Sequence, residues 1–166
     1  MAARYIYVMT KEWIKAIIIL PFNVTVVIPV LILYFSKFKY SATHIGFIIL
    51  GALLLVTGLT LAAATMLLFN NIGKGTAAPW APPKNLVIAG PYKYVRNPMI
   101  TAVLSILLAE SFLLNSTALG LWFVLFFLIN SIYIPQVEEK QLIKRFGEEY
   151  LEYMRKVPRW IPNRFL

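Results

Sequence analysis

The stretch NPMITAVLSILLAESFLLNSTALGLWFVLFFLINSIYIPQV, residues 97–137, decides the fold of this chain. Its 41 residues include one charged side chain, that of Glu110. A single helix of this length would measure about 60 Å at 1.5 Å per residue, twice the thickness of a membrane's hydrocarbon core. The polar pair at residues 115–116 divides the stretch in the middle. The sequence therefore predicts two membrane-spanning helices joined by a tight hairpin.

Prolines mark the ends of that hairpin. Pro98 suits the first turn of a helix, where the missing N–H has no partner to lose. Pro135 is predicted to end or kink the second helix, because proline interrupts the regular hydrogen-bond ladder. These positions place the two spans at residues 98–114 and 117–134.

Two further apolar stretches precede the hairpin. Residues 16–36, AIIILPFNVTVVIPVLILYFS, contain no charged side chain and are long enough to cross a bilayer. Residues 45–69 form the second stretch, in which small residues such as Gly51 and Gly58 would let a neighbouring helix approach closely. The sequence therefore predicts an all-α integral membrane protein with four transmembrane helices in a single domain.

The composition favours a membrane as the solvent. Apolar residues make up 60% of the chain and charged residues 14%, and the mean hydropathy is +0.72. A soluble domain has roughly 45–50% apolar and 25% charged residues, so a soluble enzyme and a disordered chain are excluded. There is no Cys or Asp, and His44 is the single histidine. We therefore expect no bound metal and no Ser-His-Asp triad.

The basic residues predict the orientation. Fourteen of the sixteen lie before the first span, in the loop after the second span, or after the last span. Four spans would place these segments on one side, so the positive-inside rule predicts that both termini are cytoplasmic. The net charge of +9 would then face anionic membrane lipids rather than nucleic acid. After the last span, apolar residues at helical spacing predict an amphipathic cytosolic helix over residues 138–155.

Residues 73–97, GKGTAAPWAPPKNLVIAGPYKYVRN, form an unusual loop. It is rich in Gly and Pro, and Trp, Tyr, Leu and Val residues are interleaved with them. Structureless loops beyond about 12–15 residues are usually functional or disordered. The aromatic and aliphatic side chains argue against disorder. We therefore expect functional residues in this loop, on the same side of the membrane as the C-terminal segment.

Two segments resemble a known family. LVIAGPYKYVRNPM, residues 86–99, and EEKQLIKRFGEEYLEYMRKVPRWIP, residues 138–162, are similar to motifs of the isoprenylcysteine carboxyl methyltransferase family and the related phospholipid methyltransferases. The resemblance implies an integral membrane enzyme that uses S-adenosyl-L-methionine without a Rossmann domain and releases S-adenosyl-L-homocysteine. It also implies a cytosolic cofactor pocket between the loop, residues 73–97, and a capping segment, residues 138–166.

The resemblance assigns roles to individual residues. It implies catalytic roles for Arg96, Asn97 and Glu138. The cofactor-binding residues that it implies are Lys84, Asn85, Leu86, Val87, Gly90, Tyr92, Asn97, Pro98, Met99, Ile100, Glu138 and Glu139.

Methyl transfer from a sulfonium is compatible with this composition. The reaction is an in-line displacement that needs no metal and depends on holding the reacting atoms together. Lys84 or Arg96 would hold the carboxylate of the cofactor, and Glu138 would pair with its hydroxyls, ammonium or sulfonium. If the acceptor is an amine, Glu138, Glu139 and Tyr92 are the candidates that would take its proton.

Three positions depart from the family pattern. Asn97 replaces the histidine of the eukaryotic members, and Ile100 replaces a tyrosine, which removes one hydrogen bond. Ile134 occupies the position of an arginine that handles the prenylcysteine carboxylate in those members. The predicted acceptor is therefore described only as lipophilic: a prenylcysteine-like carboxylate, a lipid amine or a small hydrophobic molecule. It is expected to enter laterally between helices.

Two alternative functions stay open. The first is an NADPH-dependent enzyme similar to the sterol reductases, although those proteins have more spans. The second is a non-catalytic scaffold or lipid-binding protein that retains the fold. Loss of cofactor binding on replacing Glu138 would separate the methyltransferase from the scaffold.

Overall fold

The computed structural model describes residues 14–41, 43–76, 78 and 80–162. Within these ranges the chain is helical and contains no strand, which confirms the all-α class. Predictions for Arg4, Lys11 and Arg164, and for the rest of residues 1–13 and 163–166, lie outside the described residues.

Five helices and one short 3-10 turn follow one another within the ranges that the structure describes. They are α1 (Ile14–Phe35), α2 (Ile45–Gly73), the 3-10 turn (Gly90–Lys93), α3 (Pro98–Leu113), α4 (Thr117–Phe146) and α5 (Glu148–Lys156).

Three of these helices, α1, α2 and α4, are long and apolar enough to cross a membrane. The apolar helix α3 has 16 residues and is about 24 Å long at 1.5 Å per residue. A full crossing of the hydrocarbon core needs about 20 residues. The structure therefore contains three candidate spans, and the predicted count of four remains a prediction.

Polar side chains compensate for the proline within α1. Residues Ile18–Val27 form a wide π-helical stretch that contains Pro21. The Asn23 side chain donates to the carbonyl oxygens of Ile18 and Ile19, both at 2.9 Å. Side chains that satisfy such backbone carbonyls make an internal proline tolerable in an apolar helix.

Glycines bring α2 and α3 into close contact. A Cβ atom at Gly51 would lie 2.7 Å from Cγ of Leu113, and one at Gly58 would lie 2.9 Å from the carbonyl oxygen of Ala102. Both glycines are buried. Because lipid removes much of the hydrophobic drive between helices, such close packing is a main source of their association.

The connection between α3 and α4 is a tight turn. Asn115 adopts a left-handed conformation with φ 48°, which asparagine tolerates better than most residues. Ser116 then caps α4, since its hydroxyl accepts the N–H of Leu119 at 3.4 Å. The hairpin therefore turns at the polar pair that the sequence identified.

The helix that contains the last predicted span does not end at residue 134. The helix continues to Phe146 through a π-helical turn at Ile134–Glu138. In that turn the N–H of Glu139 donates to Ile134 O, five residues earlier. The wider turn accommodates Pro135 without ending the helix.

The predicted single helix over residues 138–155 is two helices. Its first half is the last part of α4, and its second half is α5. Gly147 separates them with φ 59° and ψ −133°, a conformation that is essentially restricted to glycine. The chain can therefore turn at this point and direct α5 back over the loop.

Candidate functional site

The loop is compact because its backbone groups bond to one another. The N–H of Lys84 donates to Gly73 O at 2.8 Å, and the N–H of Thr76 donates to Ala81 O at 2.7 Å. A Cβ atom at Gly75 would lie 2.6 Å from Pro82 O, so only glycine fits there. The loop is thus folded against the end of α2.

The tail, which we define as residues 148–162, covers this loop. The hydroxyl of Tyr153 donates to Tyr92 O at 2.7 Å, and the N–H of Arg96 donates to Pro158 O at 2.9 Å. Leu86 of the loop packs against the buried cluster that includes Tyr153. Two segments that are about sixty residues apart in sequence therefore form one layer.

A buried carboxylate ties this layer together. Glu139 is 4% exposed and lies between two guanidinium groups. Arg159 donates two hydrogen bonds to Glu139. One runs from Nε to Oε1 at 3.0 Å and the other from Nη2 to Oε2 at 2.9 Å. Arg96 Nη1 lies 3.0 Å from Oε1 as an ion pair. A bidentate pair of this kind fixes orientation as well as charge.

A cavity of about 440 Å³ lies between this layer and the apolar helices. That volume is within the usual range for small-molecule sites. One part of its wall comes from the loop and tail, with Leu86, Tyr92 and Tyr150. Another part comes from within the helices, with Val24 and Phe126.

Two residues of the wall carry buried donors that lack partners. Arg96 Nε and Nη1 and Asn97 Nδ2 make no hydrogen bond to the described part of the chain, although Nη1 lies in the ion pair with Glu139. Asn97 is the N-cap residue of α3, yet its side chain does not cap the helix. Leaving a buried donor unpaired costs roughly 1–3 kcal/mol. A ligand with acceptor atoms would remove that cost.

Three tyrosines of the layer are held in the neutral form. Burial raises the pKa of Tyr92 well above its ordinary value, and Tyr153 and Glu138 nearby add to the effect. Burial likewise raises the pKa of Tyr150 to about 12 and that of Tyr153 further. At neutral pH these phenols are hydrogen-bond donors rather than bases.

The structure brings most of the predicted site residues to the cavity. Those in its wall are Asn85, Leu86, Val87, Tyr92, Arg96, Asn97, Met99, Ile100 and Glu138.

Four predicted site residues are placed elsewhere. The side chain of Lys84 is exposed, and Gly90 lies in the 3-10 turn with φ 55°. Pro98 is buried in the first turn of α3. Glu139 faces the two arginines rather than the cavity. Their assigned roles in cofactor binding remain predictions.

Sequence reasoning missed part of the wall. Asn130, a buried polar residue within the apolar α4, lines the cavity, and its polarity was an available signal. Arg145 also lines it. Arg159, which bonds to Glu139, lies 20 residues after it in the chain, and no helical spacing relates the two residues. Residues of α1 complete the wall.

Comparison with known proteins identifies a family for this chain. A family model described as phospholipid methyltransferase matches residues 47–149, more than half of the chain. The match includes the loop, α3, α4 and the beginning of the tail. A search of curated proteins gave no match.

Proposed function

This chain belongs to the phospholipid methyltransferase family, and on that premise we propose that it transfers a methyl group from S-adenosyl-L-methionine to a lipophilic acceptor. Membership and the three long apolar helices make it an integral membrane methyltransferase. The cofactor, the acceptor and the side of the membrane are the parts that we propose.

The observation that carries the proposal is the set of donors in the cavity wall that have no hydrogen-bond partner among the described residues. Arg96 and Asn97 carry these donors, and Glu138 lines the same cavity, so donors and a carboxylate occur in one wall. S-adenosyl-L-methionine carries a carboxylate, an ammonium and a sulfonium, which require groups of both kinds. The cavity volume also matches a ligand of that size. The residues present therefore fit this cofactor.

We assign the binding roles accordingly. Arg96 holds the cofactor carboxylate, because Lys84 is exposed and outside the cavity wall. Asn97 offers both a donor and an acceptor. Leu86, Val87 and Tyr92 provide the apolar and aromatic wall around the nucleoside. When bound, the cofactor supplies an electrophilic methyl group.

Glu138 is the best candidate for taking a proton from an amine acceptor. Tyr92 is held neutral by burial, which raises its pKa, and a neutral phenol is a poor base. Glu139 is committed to two guanidinium groups. Glu138 lines the cavity, and the described residues place no ion-pair partner within 4.0 Å of its carboxylate. Its negative charge would also stabilise the nearby sulfonium.

The acceptor binds in the apolar part of the cavity. Leu20, Val24, Ile106 and Phe126 line it between α1, α3 and α4, so a hydrocarbon chain would be accommodated there. The fully buried Ile134 lies outside the wall and offers no charge to a carboxylate. We propose entry from the lipid, with the loop and tail on the cytosolic side of four spans.

Labelled methyl transfer tests the proposal. The purified protein in detergent is incubated with methyl-labelled S-adenosyl-L-methionine and a total lipid extract. We expect label in the lipid fraction, and its loss by a factor of about 100 or more in Glu138→Gln, as is typical when a general base is removed. Glu152→Gln, which changes an exposed carboxylate, serves as the control. Binding of NADPH with no labelled product would indicate the reductase, and binding of neither cofactor would indicate a scaffold.

A further inference from the structure

The ion pairs of Glu139 are unequal. Arg159 engages both carboxylate oxygens, with Nε at 3.0 Å and Nη2 at 2.9 Å. Arg96 approaches one oxygen through Nη1 only, as an ion pair, and neither its Nε nor its Nη1 has a hydrogen-bond partner in the described chain. Arg96 is a cavity residue, whereas Arg159 and Glu139 are outside the cavity wall. The geometry thus separates one arginine committed to Glu139 from one that is only partly committed.

We propose that Arg159 is a positioning residue that keeps Arg96 available to the cofactor. This inference rests on the proposed function. By satisfying both oxygens of Glu139, Arg159 prevents that buried carboxylate from recruiting Arg96 as a bidentate partner. Arg96 then retains Nε for the anionic group of the ligand while its Nη1 anchors it to the layer.

Removal of the Arg159 side chain is expected to make Arg96 the main partner of Glu139. Glu139 is almost fully buried, and a buried carboxylate requires a close cationic partner. Arg96 is the remaining cation within ion-pair distance among the described residues. Its guanidinium is expected to rotate towards both oxygens, which withdraws Nε from the ligand. The effect on the cofactor therefore passes from Arg159 through Glu139 to Arg96.

The hydrogen bond between Arg96 N–H and Pro158 O strengthens the connection. It holds the backbone next to Arg159 against the backbone of Arg96 at 2.9 Å. This bond does not depend on the Arg159 side chain. A substitution of the Arg159 side chain therefore changes the ion pairs of Glu139, while the backbone hydrogen bond that attaches the tail to Arg96 remains.

The test is calorimetric titration of S-adenosyl-L-homocysteine into wild type, Arg159→Met, Arg159→Lys, Glu139→Gln and the double variant Glu139→Gln/Arg159→Met. Arg155→Met is the matched control, since Arg155 is an exposed arginine of the same tail. Thermal unfolding of each variant reports whether it is folded. Arg159→Lys keeps a positive charge beside Glu139 and provides the comparison if Arg159→Met does not fold. The double variant, which has no carboxylate at this position, is compared with Glu139→Gln.

We expect Arg159→Met to weaken binding about tenfold, the loss typical of one charge-assisted hydrogen bond to a ligand. Arg159→Lys should recover part of that loss, because lysine supplies charge without a bidentate fork. In the Glu139→Gln background, Arg159→Met should add less than about twofold, since the intermediary is missing.

Two results would overturn the inference while leaving the proposed function intact. One is wild-type affinity in folded Arg159→Met. The other is a double variant whose loss equals the product of the two single losses, because independent sites behave in that way. A wild-type protein that does not bind S-adenosyl-L-homocysteine overturns both the proposed function and this inference.

Discussion

Two regions of the molecule are held together by different interactions. One is the interface between α2 and α3, and the other is the layer that the loop and the tail form. At the interface, Gly51 and Gly58 allow backbone contact, and the packing is decided by shape. In the layer, Arg96, Glu139 and Arg159 place three charges in or near the interior. The first region is held by apolar contacts, whereas the second contains donors that have no hydrogen-bond partner among the described residues.

This difference indicates where stability and function are located. Close-packed apolar contacts contribute to folding directly. Buried ion pairs contribute little net stability, because removing their hydration costs nearly as much as their attraction returns. Substitutions at the glycine interface should therefore affect unfolding, whereas substitutions at the charged groups of the layer should affect ligand binding as well as unfolding.

The largest expected effect is that of Arg96→Ala. It removes the cation that we assign to the cofactor carboxylate and should weaken binding of S-adenosyl-L-homocysteine about 100-fold, or about 2.7 kcal/mol, as measured by calorimetry. Lys93→Ala, which removes an exposed positive charge three residues earlier, should change the affinity less than about twofold. Equal losses in the two variants would mean that net charge, rather than the layer, attracts the ligand.

The next effect in size concerns the glycine interface. Gly51→Leu would place a Cβ atom 2.7 Å from Leu113 Cγ and should destabilise the protein by roughly 1–3 kcal/mol, measured by thermal unfolding in detergent. Ala52→Leu adds the same side chain at the neighbouring exposed position and should change stability by less than about 0.5 kcal/mol. Similar unfolding temperatures for the two variants would contradict the close contact of α2 and α3.

A smaller effect should appear at alkaline pH. Burial raises the pKa of Tyr150 to about 12 from the ordinary value of 10.0. The folded state therefore holds this proton more tightly than the unfolded state, and the resulting stability is complete below pH 10 and lost between pH 10 and 12. The unfolding temperature should fall across that range, and the fall should be smaller in Tyr150→Phe.

Tyr40→Phe is the control for this titration, because the side chain of Tyr40 is 64% exposed. Its unfolding temperature should follow the wild-type curve from pH 10 to 12. A Tyr150→Phe curve with the same slope as that of wild type would show that the phenol of Tyr150 ionises equally easily in the folded and unfolded states.

The smallest effect is expected at the surface ion pair of Glu152 and Lys156. Lys156 lowers the pKa of Glu152 through a 2.6 Å contact, but both side chains are more than half exposed. Solvent screens such pairs, so Glu152→Gln should leave both the unfolding temperature and the ligand affinity unchanged. A measurable loss of affinity would show that charge outside the buried layer also controls the site.

Local signals in the sequence predicted much of the fold. The apolar stretches gave the helices, and the polar pair at residues 115–116 located the turn between α3 and α4. Pro135 left open whether the helix ends or is distorted, and the structure shows that a π-helical turn continues the helix through this residue. Gly147 carried a signal for the break between α4 and α5 that the apolar periodicity concealed.

The site was predictable in part, through the motif residues around Arg96 and Glu138. The sequence could not specify which of the adjacent residues Glu138 and Glu139 lines the cavity and which one pairs with arginine. Glu138 lines the cavity and Glu139 is bound by Arg159. That choice depends on which side of the helix faces the tail, and the tail reaches it only because the chain turns at Gly147. Contacts of this kind arise from tertiary structure and leave no local pattern.

The most direct test of the central claim is to locate the bound cofactor by ultraviolet cross-linking. Methyl-labelled S-adenosyl-L-methionine is irradiated with the purified protein, with and without excess S-adenosyl-L-homocysteine, and the labelled peptides are sequenced. We predict competable labelling within residues 85–100 and 138–153, the two segments that carry the polar part of the cavity wall. Competable labelling confined to other parts of the chain, or none at all, would contradict a cofactor site between the loop and the tail.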